Sequence, residues 1–208
     1  SNLYNLDFAR KLSNQFNNIF LVEGYMDVVV LSKNGIENAV ANLGTSLTDK
    51  QIFTLNQFFN DIIICFDGDE SGYKAALRAA ENSIKDMKPE KQISFLFLPD
   101  QEDPDSFVNK NGKEYFFDYS KQNKISIHQF IFNHYKKNTQ NNPSSMAIFE
   151  KKLRSIANTI KDNYIKKYVL EYFMEKISGL TPYTSQNQKN FFTKKTRSLE
   201  KTKKYYNE

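Results

Sequence analysis

The sequence has little of what marks a secreted, disulfide-bonded or membrane-spanning protein. Its 208 residues include one cysteine, Cys65, which excludes a disulfide framework and a Cys-based zinc site within the chain. No apolar run approaches the roughly 20 residues needed to cross a bilayer, and the opening segment SNLYNLDFARK lacks the apolar core of a signal peptide. These absences predict a soluble, cytoplasmic protein, with Cys65 a reduced thiol in an apolar segment.

Charge and length set broader limits. Lys and Arg number 29 against 24 Asp and Glu, which gives a formal charge of +5. This excess fits a nucleic-acid or polyphosphate partner, although many proteins without such a partner share it. The length leaves room for one full domain with a smaller second one.

Short apolar runs alternate with longer amphipathic stretches in the first half of the chain. The runs predict strands at residues 19–22, 39–43, 62–66 and 93–98, and the stretches that follow the first three predict helices. Thr48 and Gln51 have the spacing of a capping box at the start of the second helix. The alternation predicts an α/β fold whose mostly parallel, Rossmann-like sheet is covered by helices on both faces.

The pattern changes after Leu98. Residues 101–111 are polar and acidic, and from Ser126 onward the apolar residues recur only at helical spacing. We therefore expect a small all-helical subdomain with helices at 126–137, 144–161 and 164–177, followed by a basic tail. The predicted boundaries are 1–15 for the end of a preceding segment, 16–122 for the α/β domain, 123–179 for the helical subdomain and 180–208 for the tail.

Acidic residues follow three of the predicted strands. Glu23 follows the first strand and Asp67 the third, with Asp69 two residues later, while Asp103 and Asp105 come a few residues after the fourth. Ligands of open parallel sheets bind beyond the carboxyl ends of the strands. Carboxylates gathered there repel one another, and a divalent cation relieves that repulsion. Oxygen ligands without His or Cys favour Mg²⁺ or Mn²⁺ over zinc.

A purely structural role for these acids is the alternative. Asp69 and Glu70 open a predicted helix, where a negative charge gains about 0.3–1 kcal/mol from the helix dipole and can cap free N–H groups. For the segment DGDE alone the two interpretations are equally good. Acids at three separate strand ends favour the metal site.

Four blocks of sequence carry a resemblance to a known family. They are VEGYMDVV (22–29), ANLGTSLT (41–48), FDGDESGYKAALRA (66–79) and LPDQEDPDSFV (98–108). In this order and spacing they resemble the bacterial DnaG-type primases, and the first, third and fourth are similar to the toprim motifs that primases share with topoisomerases and some nucleases. The resemblance extends from about residue 3 to residue 181.

The resemblance implies a toprim fold and a set of functional residues. By position, Glu23, Asp67 and Asp69 correspond to the family's catalytic acids. The implied ligands of two or more Mg²⁺ or Mn²⁺ ions are Glu23, Asp27, Asp67, Asp69, Asp103 and Asp105. A weaker expectation assigns nucleotide or DNA contacts to Gly44, Thr45, Lys74 and Arg78.

The activity implied by the resemblance is synthesis of short RNA primers during DNA replication. The implied partners are a single-stranded DNA template, ribonucleoside triphosphates and the RNA primer, with the replicative helicase DnaB bound through a C-terminal domain not found in this sequence. A zinc-binding domain and the basic half of the polymerase domain are likewise not found. We therefore expect a monomeric fragment of the catalytic core, without membrane contact, that makes little or no primer alone.

Two other functions remain open on the sequence. One is a different toprim enzyme, a nuclease or part of a topoisomerase, that uses the same acids to cleave a phosphodiester. The other is a non-catalytic α/β module whose acids hold one structural or regulatory ion. His128 and His134 lack the neighbours of a catalytic or metal site, so we expect them to be structural or at the surface.

Overall fold

The structure is a computed structural model that describes residues 3–42, 47–99 and 101–180. The chain divides into two compact units, residues 1–166 and residues 167–208. The sheet and all six predicted metal ligands belong to the first unit.

A five-stranded sheet forms the centre of the first unit. Its strands are β1 (Asn18–Val22), β2 (Ala39–Ala41), β3 (Asp61–Phe66), β4 (Gln92–Phe97) and β5 (Ile125–Ser126), in the spatial order β2-β1-β3-β4-β5. The first four are parallel, and β5 pairs with β4 in the antiparallel sense. Nearly all residues of the parallel strands are buried. Burial on both faces explains why each strand is an unbroken apolar run, and the predicted mostly parallel sheet is confirmed.

Helices cover both faces of this sheet. The α-helices of the described chain are α1 (Leu6–Ala9), α2 (Tyr25–Lys33), α3 (Asp49–Asn56), α4 (Glu70–Ser83), α5 (Pro104–Asn111), α6 (Lys113–Asn123), α7 (Ile127–Lys137), α8 (Pro143–Asn158) and α9 (Asn163–Ser178), and most of α9 belongs to the second unit. On one face α2, α5 and α6 enclose an apolar core around Phe20 and Phe116, whose rings meet edge to face at 5.1 Å. Cys65 lies in the same core as a buried free thiol, as predicted.

An aromatic cluster fixes α4 and α7 to the opposite face. The ring of Phe130 in α7 lies 5.2 Å from that of Phe95, 5.4 Å from that of Phe97 and 5.3 Å from that of Tyr73 in α4. Aromatic pairs at such distances add about 0.5–1.5 kcal/mol beyond the burial of their area. The helix that begins at the DGDE segment is therefore anchored to both the sheet and α7.

The first helix after β2 begins as the sequence predicts. The backbone N–H of Gln51 donates to the Thr48 hydroxyl (3.3 Å), and the backbone N–H of Thr48 donates to the Gln51 side chain (3.0 Å). This reciprocal capping box satisfies two N–H groups that the first turn of a helix leaves free.

The structure contains three elements that were not predicted, α5, α6 and β5, and two predicted segments lie outside the described residues. Helix α5 covers residues 104–111, which the sequence analysis described only as polar and acidic. Helix α6 covers residues 113–123, most of which had no assignment. Gly112, at φ +83°, separates the two helices. Residues 125–126 join the sheet as a short edge strand. Leu43, predicted to end β2, and the basic tail from residue 181 lie outside the described residues.

Of the second unit the structure describes residues 167–180, which form most of α9 and the turn after it. Val169, Phe173 and Ile177 recur there every four residues, as expected for one face of a helix. The four domain boundaries predicted from the sequence stay a prediction. None of the helices in the described chain combines the length and the apolar character that crossing a membrane requires.

Candidate active site

The sheet brings the predicted acids to one edge. Because β1, β3 and β4 are adjacent and parallel, their carboxyl ends lie side by side. Glu23 comes directly after β1, Asp67 directly after β3, and the loop after β4 leads to Asp103 and Asp105. The strand order places the β3 acids between those of β1 and β4, so acids far apart in the sequence become neighbours.

The start of α2 orients Asp27 toward this edge. The backbone N–H of Gly24 donates to Asp27 Oδ2 at 3.0 Å. Gly24 has extended backbone, and a Cβ at this position would lie 3.1 Å from the same oxygen. The lack of a side chain at Gly24 therefore lets the carboxylate of Asp27 fold back beside Glu23.

Asp69 has the helix-capping role that the sequence offered as the alternative to metal binding. It is the N-cap of α4, and its Oδ1 accepts a hydrogen bond of 2.6 Å from the backbone N–H of Gly72. A Cβ on Gly72 would lie 2.6 Å from the carbonyl oxygen of Asp67. Gly72 thus allows the first turn of α4 to rest against the backbone of Asp67. Sequence reasoning missed this residue, for which the available signal was a glycine in the first turn of a predicted helix.

Gly68 joins the DGD turn to the loop after β4. Its N–H donates to the carbonyl of Glu102 (3.2 Å), and its carbonyl accepts from the N–H of Gln101 (3.3 Å). A Cβ on Gly68 would lie 2.0 Å from the carbonyl oxygen of Pro99. Glycine is needed at position 68 because two loops approach closely here.

The EDPD segment has its own network. Asp103 is the N-cap of α5 and accepts a 2.7 Å hydrogen bond from the backbone N–H of Ser106. Asp105 Oδ1 accepts from the side chain of Asn109 at 2.6 Å. Glu102 forms an ion pair with Lys110 at 2.8 Å, which together with a hydrogen bond from Ser106 lowers the pKa of Glu102. Glu102 is therefore neutralised within the protein, whereas the two aspartates have no cationic partner among the described residues.

The electrostatics show that the acids act on one another. Burial raises the pKa of Glu23, and the charges of Asp67, Asp69 and Asp27 raise it further. Burial also raises the pKa of Asp67, with added repulsion from Asp103 and Asp69. These shifts are what uncompensated negative charges produce when they share a partly desolvated edge.

Asp27 has the largest shift of the group. Burial is the main cause, the hydrogen bond from Gly24 opposes it, and the charges of Asp103, Asp67 and Asp105 add to it, so that the pKa of Asp27 rises to about 6. Asp27, which lies after β1, is thus influenced by acids at the ends of both β3 and β4.

The donor set fits a hard divalent cation in its chemistry. The six predicted ligands are all carboxylates, and their oxygen atoms are the ligand type that Mg²⁺ and Mn²⁺ prefer. As the side chains stand, no three Asp, Glu, His or Cys residues of the described chain lie close enough to hold an ion. One oxygen each of Asp27, Asp69 and Asp103 accepts a hydrogen bond at a helix start, which directs these side chains along the edge.

The weaker predictions have mixed outcomes. Lys74 forms an exposed ion pair with Glu70 at 2.6 Å, which lowers the pKa of Glu70 and supports its interpretation as a helix-start charge. Arg78, one turn further along α4, lines a cavity beside Glu23. Gly44 and Thr45 lie outside the described residues. Roles for all four in nucleotide binding stay predictions.

The two histidines lie away from the acidic edge. His134 Nδ1 is 3.1 Å from the hydroxyl of Tyr73, and His128 Nε2 is 3.1 Å from the hydroxyl of Ser126. Burial lowers the pKa of both histidines, which favours neutral rings in structural positions. This agrees with the structural role expected from the sequence.

Comparisons with known proteins agree with this geometry. The Toprim domain family matches residues 17–97, which span β1 to β4. DNA primase of Pseudomonas aeruginosa is 46% identical over 114 residues, covering 55% of this chain and 17% of that protein. DNA primase of Escherichia coli K12 is 44% identical over 131 residues, covering 63% of this chain and 22% of that protein. The chain thus spans about a fifth of the length of the curated relatives it matches.

Solved structures extend the similarity beyond the toprim region. The DnaG catalytic core matches with a TM-score of 0.80 and 36% identity, over 88% of this chain and 59% of that one. The DnaG primase catalytic domain bound to single-stranded DNA matches with a TM-score of 0.78 and 35% identity, over 83% of this chain and 56% of that one.

Proposed function

Because this chain contains a toprim domain and is homologous to the catalytic core of bacterial DnaG primases, we propose that it carries the acidic half of a primer-synthesising active site. The reaction is transfer of a nucleotide to the 3′-hydroxyl of a growing RNA primer on single-stranded DNA. The 3′-oxygen bonds to the α-phosphorus of a ribonucleoside triphosphate, the bond to pyrophosphate breaks, and the hydroxyl proton leaves. This activity belongs to the replication fork in the bacterial cytoplasm.

The observation that carries this proposal is the convergence of acids from three neighbouring strand ends, where burial and their own charges raise the pKa values of Glu23, Asp27 and Asp67. Asp67 and Asp69 are proposed as the central ligands of Mg²⁺ or Mn²⁺, with Asp27, Asp103 and Asp105 completing the set. When bound, such ions lower the cost of forming the attacking alkoxide and neutralise charge on the triphosphate. Glu23, whose pKa is raised, suits either metal binding or receipt of the hydroxyl proton.

Two glycines beside Asp67 and Asp69 help to position these proposed ligands. Gly68 and Gly72 hold Asp67 and Asp69 between the loop after β4 and the first turn of α4. Anchored elements position ligands more reproducibly than free loops. The protein's own contribution is therefore to hold several carboxylates together despite their repulsion.

Calorimetric titration with Mn²⁺ tests the metal proposal. We expect wild type to bind more than one ion, and Asp67→Asn to lose affinity by at least about 10–100-fold, since removing even a partner of a ligand costs that much. Asp118→Asn is a control because Asp118 is exposed on α6. Equal Mn²⁺ affinity in wild type and Asp67→Asn would refute the assignment.

Primer synthesis itself is tested on longer and shorter chains. The 208 residues cover 59% of the solved DnaG catalytic core, so we expect little or no primer from them alone and restored synthesis when the rest of such a core is supplied. Zinc is expected in a separate domain, as in the primase structure that contains zinc-binding and RNA polymerase domains. Metal-dependent cleavage of oligonucleotides that requires Asp67, without synthesis by the longer chain, would favour a nuclease instead.

A further inference from the structure

A cavity of about 440 Å³ opens beside the acidic edge, on the face of the sheet that α4 covers. It is bounded by the carboxyl ends of β1 and β3, where Glu23 and Phe66 contribute to its wall. From these two strands the chain continues into α2 on one face of the sheet and α4 on the other. Crevices at such points of divergence are where open α/β sheets bind ligands.

The cavity wall contains a cation, Arg78, that has no counter-ion among the residues that the structure describes. Arg78 is exposed and lines the cavity, and within residues 3–42, 47–99 and 101–180 its guanidinium forms no ion pair or hydrogen bond. Lys74, one turn earlier on the same helix, is by contrast paired with Glu70. An arginine with all its donors available is the side chain best suited to bind phosphate oxygens in a forked geometry.

Two further polar side chains of α4 line the same cavity. Ser71 lies in the first turn of α4 and Asn82 lies one turn beyond Arg78, and both line the cavity. The start of a helix of 14 residues adds a positive dipole end at the same wall. Small side chains at Ala75 and Ala79 leave the space between these groups open.

We propose that this cavity receives the β- and γ-phosphates of the ribonucleoside triphosphate, with Arg78 as their binding residue. The inference rests on the proposed function, which places the α-phosphate at the neighbouring acidic edge. Phosphates suit the cavity better than the base, because a templated reaction leaves the base free to pair with DNA. Arg78 would also hold the pyrophosphate after its bond to the α-phosphorus breaks.

Binding of inorganic pyrophosphate to the 208-residue chain in the presence of Mn²⁺ tests the inference. We expect Arg78→Ala to weaken pyrophosphate by about 10–100-fold, as expected for hydrogen bonds to a charged group, and to leave affinity for Mn²⁺ alone unchanged. Arg154→Ala is the matched control, because Arg154 pairs with Glu150 on α8. It should bind pyrophosphate as wild type does.

The outcomes separate this inference from the proposed function. The role of the cavity is overturned if the protein binds Mn²⁺ but not pyrophosphate. It is also overturned if Arg78→Ala and wild type bind pyrophosphate with equal affinity. Either result leaves the metal proposal intact. The effect of Asp67→Asn on Mn²⁺ affinity is measured without pyrophosphate. That measurement therefore tests the metal proposal independently of the cavity. Adenosine that binds as tightly as pyrophosphate and depends on Arg78 would overturn the inference too, since the cavity would then hold a nucleoside. Thermal unfolding of each variant verifies that it is folded.

Discussion

Replacing Asp27 by Asn should stabilise the metal-free protein and weaken its binding of metal. The pKa of Asp27 rises from 3.8 to about 6 through burial and the charges of Asp103, Asp67 and Asp105. Asn keeps an oxygen to accept the hydrogen bond from Gly24 but carries no charge. The substitution therefore removes the repulsion while keeping the local contact.

The size of this stabilisation and its dependence on pH both follow from the raised pKa of Asp27. Two pKa units correspond to at most about 3 kcal/mol, and screening at a half-exposed group reduces this to about 1 kcal/mol. Because the pKa is higher in the folded state, the folded protein holds the proton more tightly and loses stability as pH rises from about 4 to 6. The advantage of Asp27→Asn should be near zero at pH 4 and complete above pH 6.

Thermal unfolding by circular dichroism, in EDTA and between pH 4 and 8, measures this difference. About 1 kcal/mol corresponds to a rise in Tm of about 2–4 °C for a chain of this size. Asp118→Asn, which removes an exposed acid on α6, should not show the same pH-dependent gain. Mn²⁺ should raise the Tm of wild type more than that of Asp27→Asn. A variant that is destabilised at pH 8, or whose advantage is the same at pH 4 and pH 8, would refute the reasoning.

Three further outcomes follow from the packing and the charges. Gly68→Ala should destabilise the protein by about 1–3 kcal/mol or more, because the new Cβ would meet the Pro99 carbonyl at 2.0 Å; unfolding at the wild-type Tm would contradict this. Phe116→Ala should cost about 3–5 kcal/mol in chemical denaturation, since the ring is fully buried, whereas Tyr115→Ala at an exposed position should cost far less. Mn²⁺ affinity measured by calorimetry should fall as pH decreases from 8 through 6, because the three carboxyls with raised pKa values must lose their protons to bind; constant affinity down to pH 5 would count against the site.

The sequence predicts the strands of the α/β fold well because burial on both faces leaves a simple apolar signal. Runs such as 62–66 correspond closely to β3 and leave little doubt about strand or helix. The capping box at Thr48 and Gln51 is equally readable, since it depends on two residues three positions apart. Signals of this kind are local, so one sequence suffices to interpret them.

The missed elements lack such local signals. Helices α5 and α6 are short and rich in polar residues, although Asp103 followed by Pro104 is a good helix start. Strand β5 has two residues, which is too few for any alternation to show. Its place in the sheet depends on pairing with β4, a contact between residues about 30 positions apart.

Some features of the candidate site could be predicted from the sequence and others could not. Residue types and strand-end positions predicted that Glu23, Asp67 and the EDPD aspartates converge, because topology alone places them at one edge. Capping by Asp69 was also predicted from the sequence, whereas the hydrogen bond from Gly24 to the Asp27 carboxylate was seen only in the three-dimensional structure. The close approach at Gly68 and the cavity beside Arg78 arise from separate segments and have no counterpart in a linear motif.

The contact at Gly68 has a consequence for engineering. Two hydrogen bonds and a gap too small for a methyl group fasten the DGD turn to the loop after β4. A protein designer who transplants the DGD segment alone into another parallel sheet would leave out the surface that shapes it. The smallest transferable part is therefore a pair of loops, residues 67–72 together with 98–106, moved as one cassette with the two strands that hold them in register.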